Sequence, residues 1–131
     1  MLILDASALV EYLLGSAAGY RVAERLSRVE TIDGPHLIDL EVSSALRRHV
    51  AAGTVDERVA TDALAQLADS PLRRYPATPF LPRIWELRHT HTAYDAAYIA
   101  LAEGLAVPLV TMDARLARSH GHAAAIELVA A

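Results

Sequence analysis

The chain has 131 residues, 53% hydrophobic and 21% charged, with a net charge of −4 and a pI of about 5.8. That size and balance imply one globular domain, residues 1–131, with a real core, and exclude a disordered chain or a uniformly basic nucleic-acid coat. The lack of cysteine excludes disulfides, zinc–thiolate sites and thiol nucleophiles.

Residues 2–5 read as a short buried strand, Leu2-Ile3-Leu4 closing on Asp5, with no basic leader before it. Ser7 reads as the N-cap of a helix through Leu9, Val10, Leu13 and Leu14, which Gly15 ends. A second helix over 17–29 sets Tyr20, Ala23 and Leu26 on one side and Arg21, Arg25 and Arg28 on another. Thr31-Ile32 suits a strand ahead of a Gly34-Pro35 break. A helix over 37–52 carries Leu40, Val42, Leu46 and Val50 at its apolar positions and closes at Gly53. Thr54 opens the next helix, 55–69, with Val59, Leu64, Leu67 and Ala68 inward and Asp56 and Glu57 at its positive end. A strand near 72–75 follows, and Pro76, Pro79 and Pro82 lead into a helix around Ile84-Trp85-Leu87.

Thr92-Ala93-Tyr94-Asp95 has the form of a capping box, opening a helix that ends at Glu103-Gly104. Then come a strand over 107–111, a short helix over 114–119 and an edge strand over 126–129. Helices separate nearly all the strands, so the expected class is α/β, with a mostly parallel sheet covered on both faces. No apolar run is long enough to span a bilayer, and a cytoplasmic protein is expected.

Four acids, Asp5, Glu41, Asp95 and Asp113, stand where strands or loops give way to helices. The carboxyl edge of an α/β sheet gathers such positions. Gathered carboxylates repel, and a hard, oxygen-seeking cation such as Mg²⁺ or Mn²⁺ relieves the repulsion. Each acid also has a plainer use. Asp113 can cap the 114–119 helix, Asp95 belongs to the capping box, and Glu41 suits a helix dipole behind Asp39, itself read as an N-cap. Ser7, as cap, would leave Asp5 without that duty. The six histidines lack metal-ligand spacing and read as solvated. Arg47 with Arg48, Arg73 with Arg74, and Arg115 with Arg118 are candidate phosphate contacts. All twelve basic residues are arginine. Two other α/β classes with strand-end aspartates, haloacid-dehalogenase phosphatases and response-regulator receivers, rely on a lysine at the phosphoryl group, which this chain lacks.

The four acids lie in Leu-Asp-Ala-Ser-Ala-Leu-Val at 4–10, Leu-Ile-Asp-Leu-Glu-Val-Ser-Ser-Ala-Leu-Arg-Arg at 37–48, Thr-Ala-Tyr-Asp-Ala-Ala-Tyr-Ile-Ala-Leu-Ala-Glu at 92–103 and Pro-Leu-Val-Thr-Met-Asp at 108–113. In this order and spacing they resemble PIN-domain ribonucleases, and specifically the VapC toxins of bacterial toxin–antitoxin pairs. The resemblance spans nearly the whole chain, with 54–92 its least motif-rich part. It implies a PIN-like three-layer α/β/α domain and a Mg²⁺- or Mn²⁺-dependent endoribonuclease. Asp5, Glu41, Asp95 and Asp113 would be the catalytic metal ligands, and Ser7 and Thr111 would support them. It further implies tRNA, rRNA or mRNA as substrate, a VapB-type antitoxin that blocks the acidic site, and a homodimer. Two alternatives stay open: a PIN nuclease of RNA processing or DNA flap cleavage outside any toxin pair, and a non-catalytic PIN-like domain that binds a protein.

Overall fold

The computed structural model describes residues 1–130; the last residue of the expected domain lies outside the described residues. Strands β1 (Leu2–Leu4), β2 (Ile32–Pro35), β3 (Arg73–Tyr75), β4 (Leu109–Thr111) and β5 (Ile126–Leu128) form one sheet. Its order is β3-β2-β1-β4-β5, and every pairing is parallel. The helices are α1 (Ala6–Leu14), α2 (Ala17–Leu26), α3 (Leu37–Ala51), α4 (Glu57–Asp69), α5 (Leu81–Glu86), α6 (Ala93–Leu105) and α7 (Ala114–Ala117), with a 3-10 turn at Thr78–Phe80 ahead of α5.

Successive strand side chains point to opposite faces, yet Leu2, Ile3 and Leu4 are all fully buried, so both faces of the central strand are covered. α1 packs against α2, α3 and α4, while α6 packs against α5 and across β1, β2 and β4. Every residue of α6 from Ala96 to Ala102 is buried; its alanines let an all-round apolar helix lie close to the sheet. From β1 the chain continues to β2 on one side, while β4 joins on the other. That change of direction opens a crevice at the carboxyl ends of β1 and β4.

Several local expectations are corrected. Asp5, not Ser7, caps α1: its side chain accepts from the Ala8 N–H, and the helix begins at Ala6. Gly15, at φ 64°, ends α1 as expected. The inner face of α2 carries Gly19 and Val22, whereas Tyr20 is 72% exposed. Gly34 and Pro35 do not break β2 but pair with Arg74 and Tyr75 of β3. The β1 ladder reaches only Asp33, so Pro35 sits where that side needs no N–H donor.

α3 starts at Leu37, so Asp39 lies in its first turn rather than at its cap, and Leu40 is 71% exposed. Asp56 rather than Thr54 caps α4, whose buried face is Ala60, Ala63 and Leu67; Val59, Leu64 and Ala68 face outward. α6 runs past Gly104 because that glycine serves packing: a Cβ there would lie 2.6 Å from Phe80 Cε1. The left-handed cap falls instead on Ala106, at φ 55°, a strain of about 1 kcal/mol for a residue with a Cβ.

Candidate active site

Asp5 leaves the end of β1 with its carboxylate almost wholly buried. Ser7 Oγ donates to its Oδ1 at 2.7 Å, beside the Ala8 N–H at 3.1 Å, and Thr111 Oγ1 donates to its Oδ2 at 2.5 Å. The same hydroxyls tie the neighbouring strand end into place. Ser7 Oγ accepts from the Met112 N–H at 3.1 Å, and Thr111 Oγ1 accepts from the Asp113 N–H at 2.9 Å. Ser7 and Thr111 therefore clamp β1 to the loop after β4. Burial pushes the Asp5 carboxyl above its ordinary range despite the three hydrogen bonds, and the charge of Asp113 adds to the rise.

Glu41 projects from α3 and accepts a hydrogen bond from the Tyr98 hydroxyl at 2.7 Å. Its carboxyl too is raised, first by burial and then by Asp5 and Asp95; the Tyr98 bond and the charge of Arg48 oppose the rise. Tyr98 is nearly buried, and burial together with Glu41 pushes its phenol well above the usual range, so it stays a donor. It was missed in the sequence. Its signal was spacing: three residues after Asp95 on a helix, it shares that residue's face.

Thr92 caps α6 as expected, accepting from the Asp95 N–H at 3.2 Å. The Asp95 carboxylate does not reach back to complete the box but turns to Arg115, whose Nη2 donates to Asp95 Oδ2 at 3.0 Å and to Asp113 Oδ2 at 3.3 Å. Asp113 is also the N-cap of α7, accepting from the Arg115 and Leu116 N–H groups.

All four acids line one open cleft of about 680 Å³, whose walls include Val10, Leu37, Leu40, Tyr94 and Arg48. Four carboxylates around one open cleft are an all-oxygen donor set of the kind hard divalent ions take, and Arg115 already stands in as a cation between two of them. Among the described residues, no three His, Asp or Glu side chains are gathered into a ready-made metal cage.

Of the six candidate phosphate-binding arginines, Arg48 lines this cleft and Arg115 touches two of its acids. Arg73 is paired with buried Asp33 at 2.7 Å, and Arg74 with Asp39 at 2.8 Å and with the Leu67 and Leu72 carbonyls. The latter pair is the role of Asp39, which does not line the cleft. Arg47 lines a groove between α3 and α4, and exposed Arg118 ends α7. The histidines were not all solvated: His91 is buried edge-on to His122, ring centroids 5.6 Å apart, and burial lowers its pKa. His49 is among the residues lining the cleft.

The family model of the PIN domain matches residues 2–120. Ribonuclease VapC12 of Mycobacterium tuberculosis is 49% identical over 130 residues, covering 99% of this chain and 100% of the relative. The chain belongs to the VapC family of PIN-domain ribonucleases. Two solved VapC structures share its fold. That of M. tuberculosis VapC20, described as a sarcin-ricin loop cleaving toxin, aligns with a TM-score of 0.69 at 16% identity, over 94% of this chain and 97% of that one. That of VapBC2 from Rickettsia felis, bound to a promoter DNA fragment, aligns with a TM-score of 0.62 at 14% identity, over 97% and 98%. The expected three-layer PIN architecture therefore stands, and like its VapC relatives the chain is an RNA-hydrolysing nuclease. Among the described residues no helix is long and apolar enough to cross a membrane.

Proposed function

We propose that this VapC-family protein is a Mg²⁺- or Mn²⁺-dependent endoribonuclease, working in the cytoplasm, with Asp5, Glu41, Asp95 and Asp113 holding the ion. The observation that carries this reading is the convergence on one cleft of four acids far apart in sequence, two of them with pKa values raised by burial and mutual repulsion. A bound divalent ion supplies charge that neutralises the reacting phosphate and makes water a better nucleophile near neutral pH. The chain's own groups supply position. Ser7, Thr111 and the Ala8 N–H leave the Asp5 carboxylate little freedom to rotate. Arg48, on the cleft wall, suits a backbone phosphate of the RNA. Attack in line with the phosphodiester forms a bond from water oxygen to phosphorus and breaks the one to the 3′ oxygen, leaving 5′-phosphate and 3′-hydroxyl ends.

Regulation follows from the same cleft. A cognate VapB-type antitoxin is the proposed inhibitor. Its arginines would match the carboxylates, and its apolar side chains would match the exposed Leu40 and Tyr94 on the walls. A second copy of the chain is the further partner the family resemblance implies.

Purified protein should cut tRNA or a hairpin RNA in millimolar Mg²⁺ or Mn²⁺, stop on addition of EDTA, and yield products open to a 5′-phosphate-dependent exonuclease. RNA left intact under every divalent metal condition would defeat the metal reading. Tyr98 is a positioning residue in this scheme. Tyr98→Phe frees Glu41 to swing and should slow cleavage about tenfold, the usual scale for a group that orients a metal ligand. Rate recovery at higher Mn²⁺ is the diagnostic readout, and a variant as fast as wild type would remove Tyr98 from the site.

A further inference from the structure

The close ion pairs of this protein, those with a contact at 3.0 Å or less, fall into two kinds. Arg25, Arg73, Arg74 and Arg83, the last with its third nitrogen also turned to Glu86 at 3.6 Å, each grip one carboxylate with two nitrogens of the guanidinium fork. Arg115 does not. One nitrogen, Nη2, reaches two carboxylates on different elements, Asp95 at the start of α6 and Asp113 after β4. A fork on one carboxylate is geometrically specific, whereas a single-point bridge gives up that strength and specificity. The Arg115 side chain is 70% exposed while its partners are 19% and 34% exposed, so the cation lies on the solvent side of the acids it joins. It has an open route out.

We propose that Arg115 is a built-in competitor of the divalent cation: it bridges Asp95 and Asp113 while the ion is absent and swings out when the ion enters. This rests on the reading of the four acids as the metal site. It fits the placement of the guanidinium, to which two of the four carboxylates are turned. It also means that metal entry releases a cation beside the cleft just as RNA phosphates need one.

The test is calorimetric titration of Mn²⁺ into the purified full chain without RNA, comparing wild type, Arg115→Gln and Arg115→Lys, with Asp95→Asn as reference. Arg115→Gln should bind Mn²⁺ about three- to tenfold more tightly than wild type, the range expected from removing two ion pairs whose cation is largely exposed. Arg115→Lys, which keeps the charge, should stay near wild type, and Asp95→Asn should bind more weakly than either. Wild type and Arg115→Gln binding equally, or Arg115→Gln binding more weakly, would overturn the competitor role and leave the metal site standing. No Mn²⁺ binding by any of the four proteins would instead overturn the metal site and the competitor with it. The exposed position of Arg115 makes a folding defect easy to separate, by the circular dichroism of each variant.

Discussion

Asp5→Asn should lower RNA cleavage by at least about a thousandfold, equivalent to about 4 kcal/mol of activation barrier, without loosening the fold. Asparagine keeps the size of the side chain and an oxygen for the Ala8 N–H and the Ser7 hydroxyl. Its amide nitrogen would face Thr111 Oγ1, which can reverse from donor to acceptor and turn its hydrogen toward Ser7 Oγ, 3.3 Å away. Only the charge is lost, and in the metal-free protein that charge is unfavourable. The folded-state pKa of Asp5 lies above that of an unfolded aspartate, so its contribution to stability is full below the unfolded value and is lost as the pH rises through the folded pKa. At pH 7 the metal-free variant should therefore melt at or above the wild-type temperature, and Mn²⁺ should raise only the wild type. Cleavage within tenfold of wild type would remove Asp5 from the site. A large fall in melting temperature would mean that the hydrogen bonds from Ser7 and Thr111 make the Asp5 charge favourable to the fold.

The second large effect is on stability, at a position remote from the acids. A Cβ on Gly19 would lie 2.0 Å from the Glu11 carbonyl oxygen, which belongs to the backbone of α1 and cannot yield as a side-chain tip can. Gly19→Ala must push α2 away from α1, at a cost of about 3 kcal/mol or more. Urea denaturation should show the midpoint falling with little change in slope. A midpoint equal to wild type would mean that the helices do not approach so closely in solution. Because α1 carries Ser7 and is capped by Asp5, the residual activity of Gly19→Ala also gauges how firmly α2 holds the site.

The parts of the fold legible in the sequence were those written in short stretches. Leu2-Ile3-Leu4 before Asp5, and Thr92 three residues before Asp95, specify a strand end and a helix start within a few residues. Periodicity gave the helices but not always the face that meets the core. Tyr20 and Leu40 satisfy a helical apolar pattern and still face solvent, because the close approach at Gly19 and the opening of the cleft set the rotation of their helices. Choosing between Asp5 and Ser7 as cap required knowing where α1 begins, and that depends on how far β1 pairs with β4. The Asp5–Thr111 bond joins residues 106 apart, and the Arg115–Asp95 bond crosses 20. Nothing in a local window reports such pairs. The four acids were found because each stands at an element boundary; what holds them, Tyr98 and Arg115, comes from elements chosen by tertiary packing.

The clamp between Asp5 and Thr111 has a consequence in time. The strand that leads to the first acid is made before its partner strand, and 106 residues separate the Asp5 and Thr111 that clamp the two. At roughly 5–20 residues per second, about 5–20 s separate the two on the ribosome. Until then β1 lacks the neighbour that orders its carboxyl end, and the cleft is without Asp113. The cleft is thus among the last parts of the sheet edge to be assembled, and before that the Asp5 carboxylate stands without the full set of acids that line it.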